Sequence, residues 1–234
     1  MKKTVGILGG MGPMATVDLF RKLTMLTQAS CDNEHIRVYI DSNAHIPDRT
    51  EAILHGGPDP TDEMLSALRH LEACGADCII MPCNTAHYFL PKLQAATEIP
   101  FLSMTEVTAQ CCAERFPGKT AALLATDGTL QSGLYDRALE KAGVRFLHPC
   151  AEDQATVMRL VYGVVKATRP IEPERATWER LLQNLRDRGA DYFVLACTEL
   201  PVFVDRLGAE GPYIDPTEEL ARAAIRFCGY PLNP

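Results

Sequence analysis

The chain has 234 residues, of which 47% are hydrophobic and 23% charged, and it carries a net charge of −7. A chain of this length buries roughly 70% of its unfolded surface, enough for one large domain or two small ones. The acidic balance and the lack of a Lys/Arg cluster argue against nucleic acid as the main partner, and no apolar run approaches the ~18 residues that a membrane-spanning helix needs. Nine cysteines, an odd number, fit no simple disulfide framework and point to a reducing, cytoplasmic compartment.

The first apolar run, Thr4–Leu8, reads as a strand. Lys2 and Lys3 ahead of it imitate the start of a signal peptide. Gly9, Gly10, Gly12 and Pro13 break the run, and Asp18 and Arg21 follow, so it reads as a buried strand and a turn. Gly10 to Ala15 also fits the glycine pattern of a dinucleotide-binding turn. That pattern wants an acidic residue about 20 positions further on. The nearest strand-end candidate, Asp41, lies 26 beyond Ala15, and Pro13 removes an N–H that a pyrophosphate would use. The turn therefore reads as a close approach to a smaller anion, with Met11 lining the site and no cofactor expected.

Further strands are expected at Arg37–Ile40, Cys78–Met81, Phe101–Leu102, Ala121–Ala125, Val144–Leu147, Tyr192–Ala196 and Tyr213–Ile214. Helices are expected at Ala15–Ala29, Thr61–Cys74, Thr85–Ala95, Thr105–Arg115, Gln131–Ala142, Asp153–Val165, Pro173–Arg188 and Pro216–Phe227. Strands alternating with helices give an α/β architecture with parallel sheets.

A repeat is superimposed on this order. "GADCIIMPC" starts at Gly75 and "GADYFVLAC" at Gly189, and each places a cysteine eight residues after its glycine. A weaker echo links "TVGILGG" at Thr4 with "TAALLAT" at Thr120. The two pairs have nearly equal offsets, which implies two similar α/β halves. Residues 1–99 with 216–234 are expected to form one half and residues 100–215 the other, related by a pseudo-twofold with a cleft between them.

Cys83 and Cys197 each end an apolar strand and precede a helix. Ligands of open parallel sheets sit beyond the carboxyl ends of the strands, and a helix N-terminus favours the thiolate. One such cysteine reads best as a small core residue. Two at equivalent positions of a repeat read as a functional pair. Thiols on opposite sides of a cleft suit one reaction in particular. One thiolate takes a proton from a carbon and the opposite thiol returns one to the other face. A zinc site is disfavoured because neither C-x-x-C nor the usual Cys/His spacing is present, and Cys74 and Cys78 are explained by packing.

"GILGGMGP", "IPDRT", "MPCNTAH", "LLAT-x-GT" and "CTEL" together resemble the aspartate racemase branch of the Asp/Glu racemase superfamily, over essentially the whole chain. The resemblance implies a PLP-independent two-base racemase that acts on a small amino diacid, usually as a homodimer. It makes Cys83 and Cys197 the bases, with Cys197 serving the L-face and Cys83 the D-face. It assigns Arg49, whose guanidinium can fork onto a carboxylate, and Lys166 to the side-chain carboxylate. A lone loop arginine and a lysine at a helix end have ordinary surface readings too. Glutamate racemases typically carry an Asp-Ser-Gly turn and a His where this chain has Gly9-Gly10-Met11 and Glu199, which disfavours a strict glutamate racemase. A broader amino-acid racemase, a maleate-isomerase-like enzyme and a ligand-binding homologue remain as alternatives.

Asn84, Thr85 and Thr198 read as caps of the helices after the cysteines, with groups left to meet an α-carboxylate. Thr126 to Thr129 forms a second strand-to-helix turn that could hold an anion, with the Asp127 side chain expected to point away from it. Both Thr126 and Thr129 are substrate-binding candidates. His87, four residues past Cys83, lies near enough to tune the thiol, although a hydrogen-bonded, half-buried histidine is the commoner case.

Overall fold

The computed structural model describes residues 2–233, and its internal contacts divide them into two units. The first unit opens with β1 (Val5–Gly9), α1 (Pro13–Leu26), β2 (Val38–Ser42), α2 (Arg49–Leu54), α3 (Thr61–Ala73) and β3 (Cys78–Ile80). A 3-10 turn (Thr85–Phe89), α4 (Leu90–Gln94) and α5 (Met104–Arg115) come next. The strand order is β2-β1-β3, all parallel. Phe101 extends this sheet by a parallel bridge to Ile79. β1 is buried along its whole length, which is why it reads as a continuous apolar run rather than an alternating one. Val5, Ile7, Cys78 and Ile80 face a cluster with Leu19 and Leu23 of α1. Leu8 and Ile79 face Met64, Leu68 and Leu71 of α3.

The second unit contains β4 (Thr120–Ala125), α6 (Asp127–Gln131), α7 (Leu134–Lys141), β5 (Arg145–Leu147) and α8 (Ala151–Met158). A π-helical turn (Arg159–Val165) continues α8. Then come α9 (Arg175–Asp187), β6 (Tyr192–Ala196), α10 (Glu199–Leu207) and β7 (Tyr213–Ile214). Its sheet is also parallel, in the order β5-β4-β6-β7. Leu124, Phe193 and Leu195 pack on Leu160, Trp178 and Leu181, while Leu123, Tyr192 and Val194 pack on Tyr135 and Leu139. The last helix, α11 (Pro216–Phe227), sends Leu220, Ala224 and Ile225 into the core around Val5 and Ile7. The division between units falls inside α5, after Val107, and at the first residue of α11.

The sequence repeat is realised bond for bond. In the first unit the Asp77 carboxylate accepts from the Thr4 amide at 2.7 Å, and the Asp77 amide donates to the Thr4 carbonyl at 2.9 Å. In the second unit Asp191 makes the same pair with Thr120, both at 2.8 Å. Each Gly-Ala-Asp step thus ends a helix with a left-handed glycine (Gly75 φ +82°, Gly189 φ +100°) and aligns the next strand on its parallel neighbour.

Local chemistry explains where the expected helices differ. The helix expected over 85–95 begins as a 3-10 turn and restarts at Leu90, because Pro91 has no N–H to continue the ladder. The helix expected over 131–142 is cut by Gly133, at φ +62°. α2 was not expected. Asp48 caps it by accepting from Thr50 and Glu51 amides at 2.8 and 3.1 Å, and Asp48 with Glu51 three residues later is the sequence pattern that signals such a start.

Gly9 and Gly10 make room for protein, not for a ligand. A Cβ on Gly9 would overlap the Thr16 side chain, and one on Gly10, at φ +90°, would overlap the Asn43 backbone at the end of β2. The Gly10 amide donates to Thr16 Oγ1 at 2.9 Å. Gly10→Ala is therefore expected to cost about 3 kcal/mol or more, from overlap plus left-handed strain. Gly75→Ala, at φ +82° but in open space, should cost only about 1 kcal/mol. Urea denaturation of the two variants measures the difference, and equal losses would contradict this origin of the turn's rigidity.

Candidate active site

In the first unit the candidate residues gather where β1 and β3 end. Met11, Arg49, Cys83, Asn84 and Thr85 are all buried, at 2 to 8% exposure. Arg49 lies in the first turn of α2, directly after its cap. Its guanidinium donates to the carbonyls of Ile46, Pro47 and Met11 at 3.2, 2.9 and 3.3 Å. These three bonds fix the plane of the fork and fasten the glycine turn to α2. Asn84 sits at the start of the 3-10 turn with helical backbone angles, and its side chain makes no capping bond there.

Cys83 comes after β3 through Met81 and Pro82, its amide donating to the Met81 carbonyl at 2.9 Å. His87 does not tune its thiol. The turn is 3-10, so the His87 ring meets the Cys83 carbonyl oxygen, with Nδ1 at 2.9 Å. The Met104 amide donates to Nε2 at 3.0 Å. An amide N–H can only donate, so Nε2 is the acceptor and Nδ1 carries the proton. Burial pushes the His87 pKa down to about 4, and the ring is neutral at physiological pH.

In the second unit Thr126 follows β4 and caps α6, its hydroxyl accepting from the Thr129 amide at 3.4 Å. The two hydroxyl oxygens lie 3.2 Å apart, both buried. The Asp127 carboxylate accepts from Gln154 Nε2 at 2.7 Å, and the same nitrogen donates to the Ala125 carbonyl at 3.0 Å. α8 thus holds this acidic side chain.

Cys197 comes directly after β6 and is 6% exposed. Its thiol donates to Glu199 Oε2 at 3.0 Å, and the Thr198 hydroxyl donates to the same oxygen at 3.2 Å. Thr198 therefore serves the carboxylate rather than capping α10 with its side chain. Burial and then the Glu199 charge push the Cys197 thiol well above the usual range, while Lys166 acts in the opposite sense. Lys166 is exposed at the end of the π-helical turn, its ammonium 4.3 Å from the centre of the Tyr162 ring. Glu199, which stands out in the sequence as a departure from glutamate racemases, is the side chain in contact with the Cys197 thiol. Its position two residues after the cysteine, at a helix start, was the available signal.

The chain is thus an α/β protein of two units, each with its own parallel sheet. The sequence matches the Asp/Glu/Hydantoin racemase family over residues 8–224, and the chain belongs to that family. It is 30% identical to the broad-specificity amino-acid racemase of Bacillus subtilis, over 94% of this chain and 96% of that one. The aspartate racemase structure of Picrophilus torridus superposes with a TM-score of 0.85 at 35% identity, covering 99% of this chain and 96% of the other. The glutamate racemase of Francisella tularensis, solved with D-glutamate, shares the fold at 18% identity and a TM-score of 0.67, covering 97% and 81%. Among the described residues no helix is long and apolar enough to cross a membrane.

The Cys197–Glu199 contact carries its own prediction. Glu199→Gln removes a negative charge and a carboxylate acceptor, so the Cys197 thiol should ionise at lower pH. The pH at which iodoacetamide alkylation of Cys197 reaches half its maximum rate, read by mass spectrometry, should move down by about one unit or more. An unchanged or higher midpoint would contradict the assigned contact.

Proposed function

We propose that this protein is a cofactor-independent racemase that interconverts L- and D-aspartate through Cys83 and Cys197. The observation that carries the reading is one buried thiol just past the corresponding strand of each unit, Cys83 three residues after β3 and Cys197 directly after β6, at the edge where α/β sheets keep their ligands. One thiolate removes the Cα proton, and the other thiol protonates the opposite face of the carbanion. The S–H bond formed on one side and broken on the other balance, and the roles exchange with direction.

The thiols have different surroundings. Cys197 rests as a thiol beside a carboxylate, ready to donate. When it acts as the base, Glu199 Oε2 is the group placed to receive its proton. Arg49 and Lys166 supply the cations for the side-chain carboxylate, and Arg49 is already oriented by its three carbonyl partners. Met11, Asn84, Thr85, Thr126, Thr129 and Thr198 supply amides, an amide side chain and hydroxyls for the α-carboxylate, where charge develops as the proton leaves. The odd count of nine cysteines favours a reducing, cytoplasmic setting. The 30% identity to a broad-specificity racemase favours a wider substrate range as the second reading.

The test is a screen of both enantiomers of aspartate, glutamate and alanine with the unaltered protein and with Cys83→Ser and Cys197→Ser. Aspartate should be racemised fastest, and each serine variant should lose roughly 10²–10⁴-fold in kcat. Equal rates on all three amino acids support the broader reading. Full activity in either serine variant would overturn the two-thiol mechanism.

A further inference from the structure

We propose that His87 is the positioning residue of Cys83, a neutral bridge that fixes the cysteine turn to the start of α5. The inference rests on the two-thiol reading only for its consequence in catalysis. The geometry stands on its own.

The need for a bridge comes from the backbone. In an α-helical turn the amide of residue 87 would bond to the carbonyl of residue 83. Here the His87 amide bonds to the Asn84 carbonyl at 3.1 Å instead, and the His87 side chain meets the Cys83 carbonyl. In the second unit the equivalent carbonyl, that of Cys197, is met by the Leu200 amide at 2.9 Å, and residue 199 is free to be a carboxylate. The same strand-end problem is therefore solved by backbone in one unit and by an imidazole in the other. The opposite ring nitrogen takes the amide of Met104, one of the first amides of α5, which an isolated helix leaves without an intrahelical partner. His87 is 3% exposed. Both of its nitrogens are committed to backbone, so it holds Cys83 without exchanging protons with it.

Two substitutions separate the halves of the bridge. Asn reaches about as far as Nδ1 and can keep the donor to Cys83. Gln reaches about as far as Nε2 and can keep the acceptor for Met104. With aspartate as substrate, His87→Asn and His87→Gln should each lower kcat roughly tenfold to a hundredfold with KM nearly unchanged. The limbs of the pH–rate profile should stay where they are, because no titrating catalytic group has been removed. Kinetics within twofold of the unaltered protein, or loss of a limb of the profile, would overturn the proposal.

Two readouts are independent of racemase activity. The first is alkylation of Cys83 by iodoacetamide, which should accelerate roughly tenfold in the variants as the turn loosens, with Cys197 unchanged. An unchanged Cys83 rate counts against the bridge. The second uses the unaltered protein, where 15N-labelled histidine should show the ring proton of His87 on Nδ1. A proton on Nε2 would overturn the proposal even if neither variant folds. If Cys83→Ser keeps full activity while these two readouts hold, the bridge stands and the two-thiol reading falls.

Discussion

Parallel pairing sends the carboxyl end of every strand in a sheet to the same edge, and the backbone groups beyond the last rung must find partners there. The candidate site is built from the answers. In the first unit Thr16 takes the Gly10 amide, Arg49 takes the Met11 carbonyl and His87 takes the Cys83 carbonyl. In the second, Thr126 takes the Thr129 amide and Gln154 the Ala125 carbonyl. Polar residues are buried at these turns because the fold requires them, and the thiols inherit rigid surroundings as a result. A structural and a functional role for one residue are therefore not alternatives here.

The two units share a scaffold and diverge at the thiol. The paired Asp77–Thr4 and Asp191–Thr120 bonds are nearly identical in length. The turns just past the two cysteines differ. Cys83 leads into a 3-10 turn and an imidazole committed to backbone, whereas Cys197 leads into an α-helix and a carboxylate in contact with the sulfur. A repeat that keeps its strands and varies the residues just past them can keep two groups at matching positions and give them different polar partners.

The features set by local pattern could be read in advance. Continuous apolar runs mark strands buried on both faces, and β6 falls on the residues expected of it. The Gly-Ala-Asp repeat exposed two units, because a left-handed glycine and a strand-aligning aspartate are demanded at fixed positions. Side-chain direction was not legible. Whether His87 points at a thiol or at a carbonyl depends on whether the turn is 3-10 or α-helical; spacing left both open, and the commoner reading, a hydrogen-bonded histidine, is the one the ring contacts agree with. The glycines of the first turn read as space for an anion, and the space is taken by Thr16 and Asn43. Thr198, expected as a cap, spends its hydroxyl on Glu199, a competition between two roles that sequence does not rank.

The central claim is that two groups handle the proton on opposite faces of one carbon, and the fate of that proton tests it most directly. Each enantiomer of aspartate is incubated separately in D2O and analysed at low conversion. The two-thiol account predicts about one deuterium at Cα in every product molecule, with the remaining substrate still protonated. Product that keeps the original proton, or substrate that exchanges faster than it inverts, would mean that a single group works on both faces and would contradict the account.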